Sequence, residues 1–199
     1  MKKSSRTSNI VLVWLAGLLI LFGLFRYIRK KRNPNSTDLN PRFINLNTPF
    51  FDEIYTLIRK EEGFNPVAVR DGTDRAGNAL FTIGIGHQIQ PNESNLLTKR
   101  ISELEARAIY EIDIRRIVED MENNINVLIN KNQFLALISL RYNIGGPQFN
   151  SSSLLRKLNA SDYTGAADEF AKWRLSDGRI NNVLVARRAR EKSLFLKPV

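Results

Sequence analysis

The chain has 199 residues, no cysteine and one histidine, with 43% hydrophobic and 25% charged residues. This composition supports one packed domain plus extensions and excludes wholesale disorder, a disulfide scaffold, a thiolate zinc site, a cysteine nucleophile and a multi-histidine metal centre. The formal net charge is +10, and residues 1–50 carry nine Lys or Arg against one acid, Asp38. The basic excess flanks an apolar run, as in a membrane anchor rather than a nucleic-acid interface, and the remainder of the chain is nearly balanced.

Ile10 to Phe25 reads IVLVWLAGLLILFGLF, without a charge. As a helix it spans roughly 24 Å, short of a ~30 Å hydrocarbon core. Extension through Ile28, with Arg26 snorkelling to the interface, closes the gap. The following residues, RYIRKKRN, contain no small-x-small cleavage site, which favours an uncleaved single-span anchor over a signal peptide. The flanking charges vote almost equally on orientation, with a slight preference for a cytoplasmic body. The expected organisation is an anchor with basic flanks over 1–32, an Asn- and Pro-containing linker over 33–47, and a folded body over 48–199.

In the body, Thr48-Pro49 opens a helix that runs to about Glu62 and stops at Gly63. Phe64 to Arg70 and Leu80 to Ile85 read as strands joined by the turn-rich loop DGTDRAGN. Ser102 with Glu105 forms a capping box for a helix ending near Asn123. The run FLALISL within Asn132–Asn143 predicts a buried central helix ended by Gly145-Gly146-Pro147. Ser153–Leu158, Asp162–Trp173 and Asn182–Phe195 complete a helical lobe. The expected class is α+β: a small helix–hairpin lobe beside a larger all-helical one.

The candidate chemistry lies where the first helix meets the hairpin. Glu62 sits on the last helical turn, where the helix dipole and neighbouring Glu61 both disfavour an extra negative charge. Burial there would further favour the protonated form that a general acid requires. Asp71 and Asp74 lie in a polar, Gly-rich loop where a carboxylate stays ionised. Thr82 could hold a water beside one of them. Two carboxyls in contrasting environments are what acid–base glycoside hydrolysis needs.

Four segments in order resemble the phage-type lysozymes, glycoside hydrolase family 24: Glu62-Gly63 with Asp71 nine residues after the glutamate; T-I-G-I-G-H over Thr82–His87; the stretch Ala136–Trp173; and RRARE over Arg187–Glu191. The resemblance covers roughly residues 50–197. It implies a lysozyme-like fold and hydrolysis of the β-1,4 bond between N-acetylmuramic acid and N-acetylglucosamine, with Glu62 as general acid and Asp71 and Thr82 orienting a water. Thr82 lies eleven positions after Asp71, more than the family's usual spacing. Asp74, in Asp74-x-x-Gly77, therefore competes as an alternative catalytic aspartate. His87 is expected to be structural and bonded to a carboxylate. Asn143 and Gln148 are candidate sugar contacts, while Tyr142, Phe170 and Trp173 read as core. The Arg187-Arg188-Arg190 cluster reads as a solvated helix end.

No metal or cofactor is implied. The expected partners are peptidoglycan glycan strands and a lipid bilayer through Ile10–Ile28, with a monomeric catalytic domain and no nucleic acid. The Leu/Ile-rich span points to permanent tethering, in a host inner membrane or the internal membrane of a lipid-containing phage, for lysis or entry. Two alternatives stand beside this reading: a lytic transglycosylase on the same fold, relying on Glu62 alone, and a non-catalytic wall-binding virion or membrane protein.

Overall fold

The computed structural model describes residues 38–39 and 49–198, apart from 75 and 177. The expected anchor Ile10–Ile28 and the Thr48 cap lie outside the described residues. No helix among the described residues is long and apolar enough to cross a membrane.

Helix α1 (Pro49–Glu62) buries Phe51, Ile54 and Ile58, which recur at helical spacing. Gly63 then takes φ of 73° and donates its N–H to the Arg59 carbonyl at 3.1 Å. This left-handed stop fixes where the last side chain of the helix, Glu62, emerges.

Strands β2 (Asn65–Thr73), β3 (Ala79–Gly84) and β4 (His87–Gln88) form an antiparallel sheet in that order. The first strand runs three residues into the stretch expected to be loop. It can do so because the register shifts between Arg70 and Thr73, and Gly72 adopts φ of 87° in that bulge. Strand β4, only two residues long, is too short to leave a periodic trace in the sequence.

A 3₁₀ segment (Pro91–Leu97) leads to α2 (Glu103–Asn124). Its capping box forms as expected: the Glu105 N–H donates to Ser102 Oγ at 3.2 Å, and the Ser102 N–H donates to Glu105 Oε2 at 2.8 Å. Next come β5 (Ile129–Asn130) and α3 (Lys131–Ile144), in which every residue from Phe134 to Leu140 is buried. A helix this apolar on all sides has to lie inside a packed body, and α1, α2 and the C-terminal helix contact it.

Gly145, with φ of 84°, ends α3, but the chain re-enters helix at once in α4 (Gly146–Asn150). Helices α5 (Ser153–Asn159) and α6 (Tyr163–Glu169) follow, then a 3₁₀ turn, Phe170–Lys172, that breaks the single helix expected over Asp162–Trp173. A hairpin of β6 (Leu175–Ser176) and β7 (Arg179–Ile180), absent from the sequence reading, leads into α7 (Asn182–Leu196).

Within the segment expected to be linker, β1 (Asp38–Leu39) pairs antiparallel with β5. Asn130 thus joins a strand pair and also caps α3, accepting from the Gln133 N–H at 2.8 Å. The sheet seats on α2 through Gly84. A Cβ at that position would stand 3.2 Å from Ala106 Cβ, so glycine permits the close approach. The result is an α+β arrangement, rich in helix, with one small sheet beside the end of α1.

Candidate active site

Glu62 is mostly buried at the C-terminus of α1. Arg187 Nη1 stands 2.8 Å from Glu62 Oε1, yet Oε1 has no aligned hydrogen-bond donor among the described residues. The contact is therefore an ion pair without a directed hydrogen bond. Arg187 is held from its other side: Nε donates to Glu191 Oε1 at 3.1 Å, and Nη2 donates to the Ser139 carbonyl at 3.1 Å. Arg188 Nη2 donates to Glu191 Oε1 at 2.9 Å, and Ser139 Oγ donates to the same oxygen at 2.7 Å.

Two expectations are corrected here. Arg187 and Arg188 are not a solvated helix end; they are 4% and 2% exposed. The RRxxE spacing places both guanidinium groups one turn from Glu191, so that one carboxylate serves both inside the protein. Glu61 does not simply press a second negative charge on Glu62 either. Arg190 clamps it through Nη2 at 2.8 and 3.0 Å and Nε at 3.1 Å.

The turn between β3 and β4 abuts the acid. Gly86 has φ of 79°, and a Cβ there would lie 3.4 Å from both Glu62 Oε2 and Tyr142 Cε1. Within T-I-G-I-G-H, both glycines thus have steric reasons: Gly84 faces α2, and Gly86 lies between Glu62 and Tyr142. Tyr142 Oη donates to the Ile85 carbonyl at 2.6 Å.

Thr82 occupies the middle strand, paired with Val69 on one side and Gln88 on the other. Val69 and Thr82 point to the same face. Asp71 is exposed and lies within the register shift between Arg70 and Thr73. Asp74 is committed to the turn. Its Oδ1 accepts from the Ala76 and Asn78 N–H groups, each at 2.8 Å, and its Oδ2 accepts from Asn78 Nδ2 at 2.9 Å. These bonds, the Asn78 side chain first, lower the Asp74 pKa below the ordinary carboxylate value. Its carboxylate does the work of an Asx turn that closes the hairpin loop.

His87 is 6% exposed and lies between two carboxylates, with Nδ1 2.7 Å from Asp113 and Nε2 2.9 Å from Glu93. The hydrogen bond to Asp113 is the main cause that raises its pKa above the ordinary imidazole value; burial opposes this and Glu93 adds to it. The sign of the linkage follows. Stabilisation from the charged imidazole is complete below the unfolded value of about 6.5 and is lost as pH rises through the folded value. His87→Gln should therefore cost about 2–3 kcal/mol at pH 6 and markedly less at pH 9, read from urea midpoints. An equal loss at both pH values would contradict a charged histidine.

Asn143, at the end of α3, and Gln148, in α4, are both exposed on either side of Gly145. Gln148 Oε1 stands 3.3 Å from where a Gly145 Cβ would be. Asn143 directly follows Tyr142. Phe170 is fully buried, while Tyr142 and Trp173 pack partly buried against the core. Sequence reasoning missed the interior role of Arg187 and the contact of Tyr142 with the turn. The i, i+4 spacing of Arg187 and Glu191 was the available signal for the first.

The family model for phage lysozyme matches residues 59–191. The endolysin of Acyrthosiphon pisum secondary endosymbiont phage 1 is 36% identical over 145 residues, covering 70% of this chain and 92% of that protein. The endolysin of Bacillus phage B103 is 38% identical over 119 residues, or 58% of this chain, and the chain spans 43% of that relative's length. Among solved structures, the muramidase domain of SpmX from Asticaccaulis excentricus aligns with a TM-score of 0.62 at 33% identity, covering 73% of this chain and 96% of that one. The fold is thus lysozyme-like, and the matched stretch runs from the last turn of α1 to Glu191, enclosing Glu62, the sheet and the arginine cluster: the chain belongs to the phage lysozyme family.

Proposed function

We propose that this chain cleaves the β-1,4 bond between N-acetylmuramic acid and N-acetylglucosamine, with Glu62 as general acid and Asp71 with Thr82 positioning the attacking water. As a phage lysozyme it is a peptidoglycan hydrolase. The observation that carries the residue assignment is the approach of Gly86 to Glu62. One tight turn ties the acid to β3, which bears Thr82, and Asp71 lies on the neighbouring strand β2. Glu62 protonates the departing glycosidic oxygen. Asp71 accepts the proton of a water held by the Thr82 hydroxyl on the opposite sugar face. An inverting hydrolase of this kind needs its two carboxyls roughly 6.5–9.5 Å apart, which leaves room for that water. Both proton transfers in this scheme use side-chain carboxyls, one giving a proton to the leaving oxygen and one taking a proton from water, so no cofactor enters it.

Asp71 is preferred over Asp74 because the Asp74 carboxylate is already engaged by Ala76 and Asn78. Ile10–Ile28 is proposed as a single-pass anchor; the body has to reach the wall, against the slight preference of the flanking charges for a cytoplasmic body. The full-length chain should accordingly be recovered from the membrane fraction; recovery in the soluble fraction with its first thirty residues intact would contradict the anchor. Digestion of peptidoglycan by that preparation should release hydrated reducing ends, read by mass spectrometry. Anhydro ends would instead identify a transglycosylase, and binding without cleavage a non-catalytic module. Asp71→Asn should lower the rate about 10²–10³-fold. Asp74→Asn should lower thermal stability while keeping the rate within about threefold. The reverse pattern would transfer the role to Asp74.

A further inference from the structure

We propose that Tyr142 is a positioning residue for Glu62, acting through the Ile85–Gly86 turn. The inference rests on the reading of Glu62 as the general acid. Three observations converge on it. Tyr142 Oη donates to the Ile85 carbonyl at 2.6 Å. The edge of the same ring, at Cε1, and the Glu62 carboxylate both stand 3.4 Å from the Cβ position of Gly86, so the glycine is enclosed between them. Burial, followed by the nearby negative charges of Asp113 and Glu62, raises the Tyr142 pKa above the ordinary phenol value. The phenol is therefore neutral, and its proton is available for donation to Ile85.

The physical need for such a restraint lies in the turn itself. Gly84 and Gly86 both have positive φ, at 66° and 79°. Glycine is the residue least able to hold one conformation unaided. Ile85 lies between the end of β3 and the start of β4, outside the ladder of the sheet. A hydrogen bond from the central helix α3 to that carbonyl fixes the turn at its most pliable point.

The ring is braced in its turn. It packs against Tyr110 with centroids 6.0 Å apart, and Tyr110 packs edge-on against Tyr55 of α1 at 5.3 Å. Tyr55 lies two helical turns before Glu62. The helix that carries the acid and the turn that bounds it are thus referenced to one aromatic stack. Filling space does not require the hydroxyl, since phenylalanine would occupy the same volume. What the hydroxyl adds is the fixed height of Gly86 beneath the carboxylate, and hence the alignment of Glu62 with a leaving oxygen.

The test is Tyr142→Phe in the full-length chain, purified in detergent and assayed on soluble glycan strands stripped of their stem peptides. Reducing ends are counted well below the unfolding temperature of either protein. Positioning predicts a kcat lowered about tenfold with KM within twofold of the parent. A purely structural hydroxyl would lower Tm while leaving kcat per folded molecule unchanged. That result, or a loss confined to KM, overturns the proposal. Glu62→Gln is measured in parallel. If Glu62→Gln stays active, the assignment of the acid fails and this inference falls with it. If Glu62→Gln is inactive while Tyr142→Phe keeps full kcat, only the role of Tyr142 fails.

Discussion

Glu62→Gln should reduce peptidoglycan hydrolysis by at least about 10³-fold while leaving folding stability within about 1 kcal/mol of the parent. The activity expectation follows from chemistry: an amide cannot deliver a proton to a departing sugar oxygen, and Glu62 supplies the carboxyl that abuts Gly86. Glu61, one residue earlier, is already clamped by Arg190. The stability expectation follows from how Arg187 is held. Its contact with Glu62 is close, at 2.8 Å, but not directed as a hydrogen bond. Its directed bonds go to Glu191 and the Ser139 carbonyl, and the substitution leaves both in place. Replacing the carboxylate removes one ion-pair attraction and also removes the cost of burying a charge, and these two changes oppose each other. Turbidity loss and reducing-end release measure the first quantity, and urea unfolding measures the second. A Glu62→Gln protein that kept a tenth of the parent rate would sink the assignment of the general acid.

What could be read in advance follows physical range. The end of α1 was legible because Pro49 and Gly63 are local signals that act on the backbone directly. The capping box of α2 was legible for the same reason, and α3 through its unbroken apolar run. The bulge at Gly72 was read as part of a turn-rich loop, because a register shift is a property of two strands and no single run of residues specifies it. Strand β1 depends on an open edge at Ile129–Asn130, ninety residues away.

The site divides along the same line. Glu62, Asp71, Thr82 and Asp74 were picked out by their local environments and by the resemblance to phage-type lysozymes, whereas the engagement of the Asp74 carboxylate by Ala76 and Asn78 is visible only in the structure. Arg187 and Arg188 were misread because a basic run is ordinarily solvated. Only the packing of α7 on α3, with Glu191 and Ser139 facing inward, makes their burial tolerable. Tyr142 was read as core, which its ring is. The hydroxyl's partner is a backbone carbonyl, and nothing in the side-chain pattern marks it.

Glu191→Ala is the stability counterpart of Glu62→Gln, and it should destabilise the fold by about 3–5 kcal/mol, lowering Tm by roughly 10–15 °C. Glu191 pairs with both Arg187 and Arg188, and all three side chains are at most 5% exposed. Arg187 also lies beside Glu62 and, farther off, Glu61. Removing Glu191 takes from Arg188 the carboxylate it pairs with and leaves Arg187 beside Glu62 at 2.8 Å and the Arg190-clamped Glu61 at 3.9 Å. The Ser139 hydroxyl loses its acceptor as well. Arg187 would then be held by the Ser139 carbonyl and Glu62, so the alanine protein should lose activity beyond what its folded fraction explains. The double replacement Arg188→Met with Glu191→Leu separates charge from packing. It removes one charge of each sign and refills the volume with apolar atoms, so it should recover part of the stability lost by Glu191→Ala alone. Urea midpoints at constant m are the measurement. A Glu191→Ala protein within 1 kcal/mol of the parent would mean that water reaches the two arginines, and that the cluster is not the lock joining α7 to α3 beside Glu62.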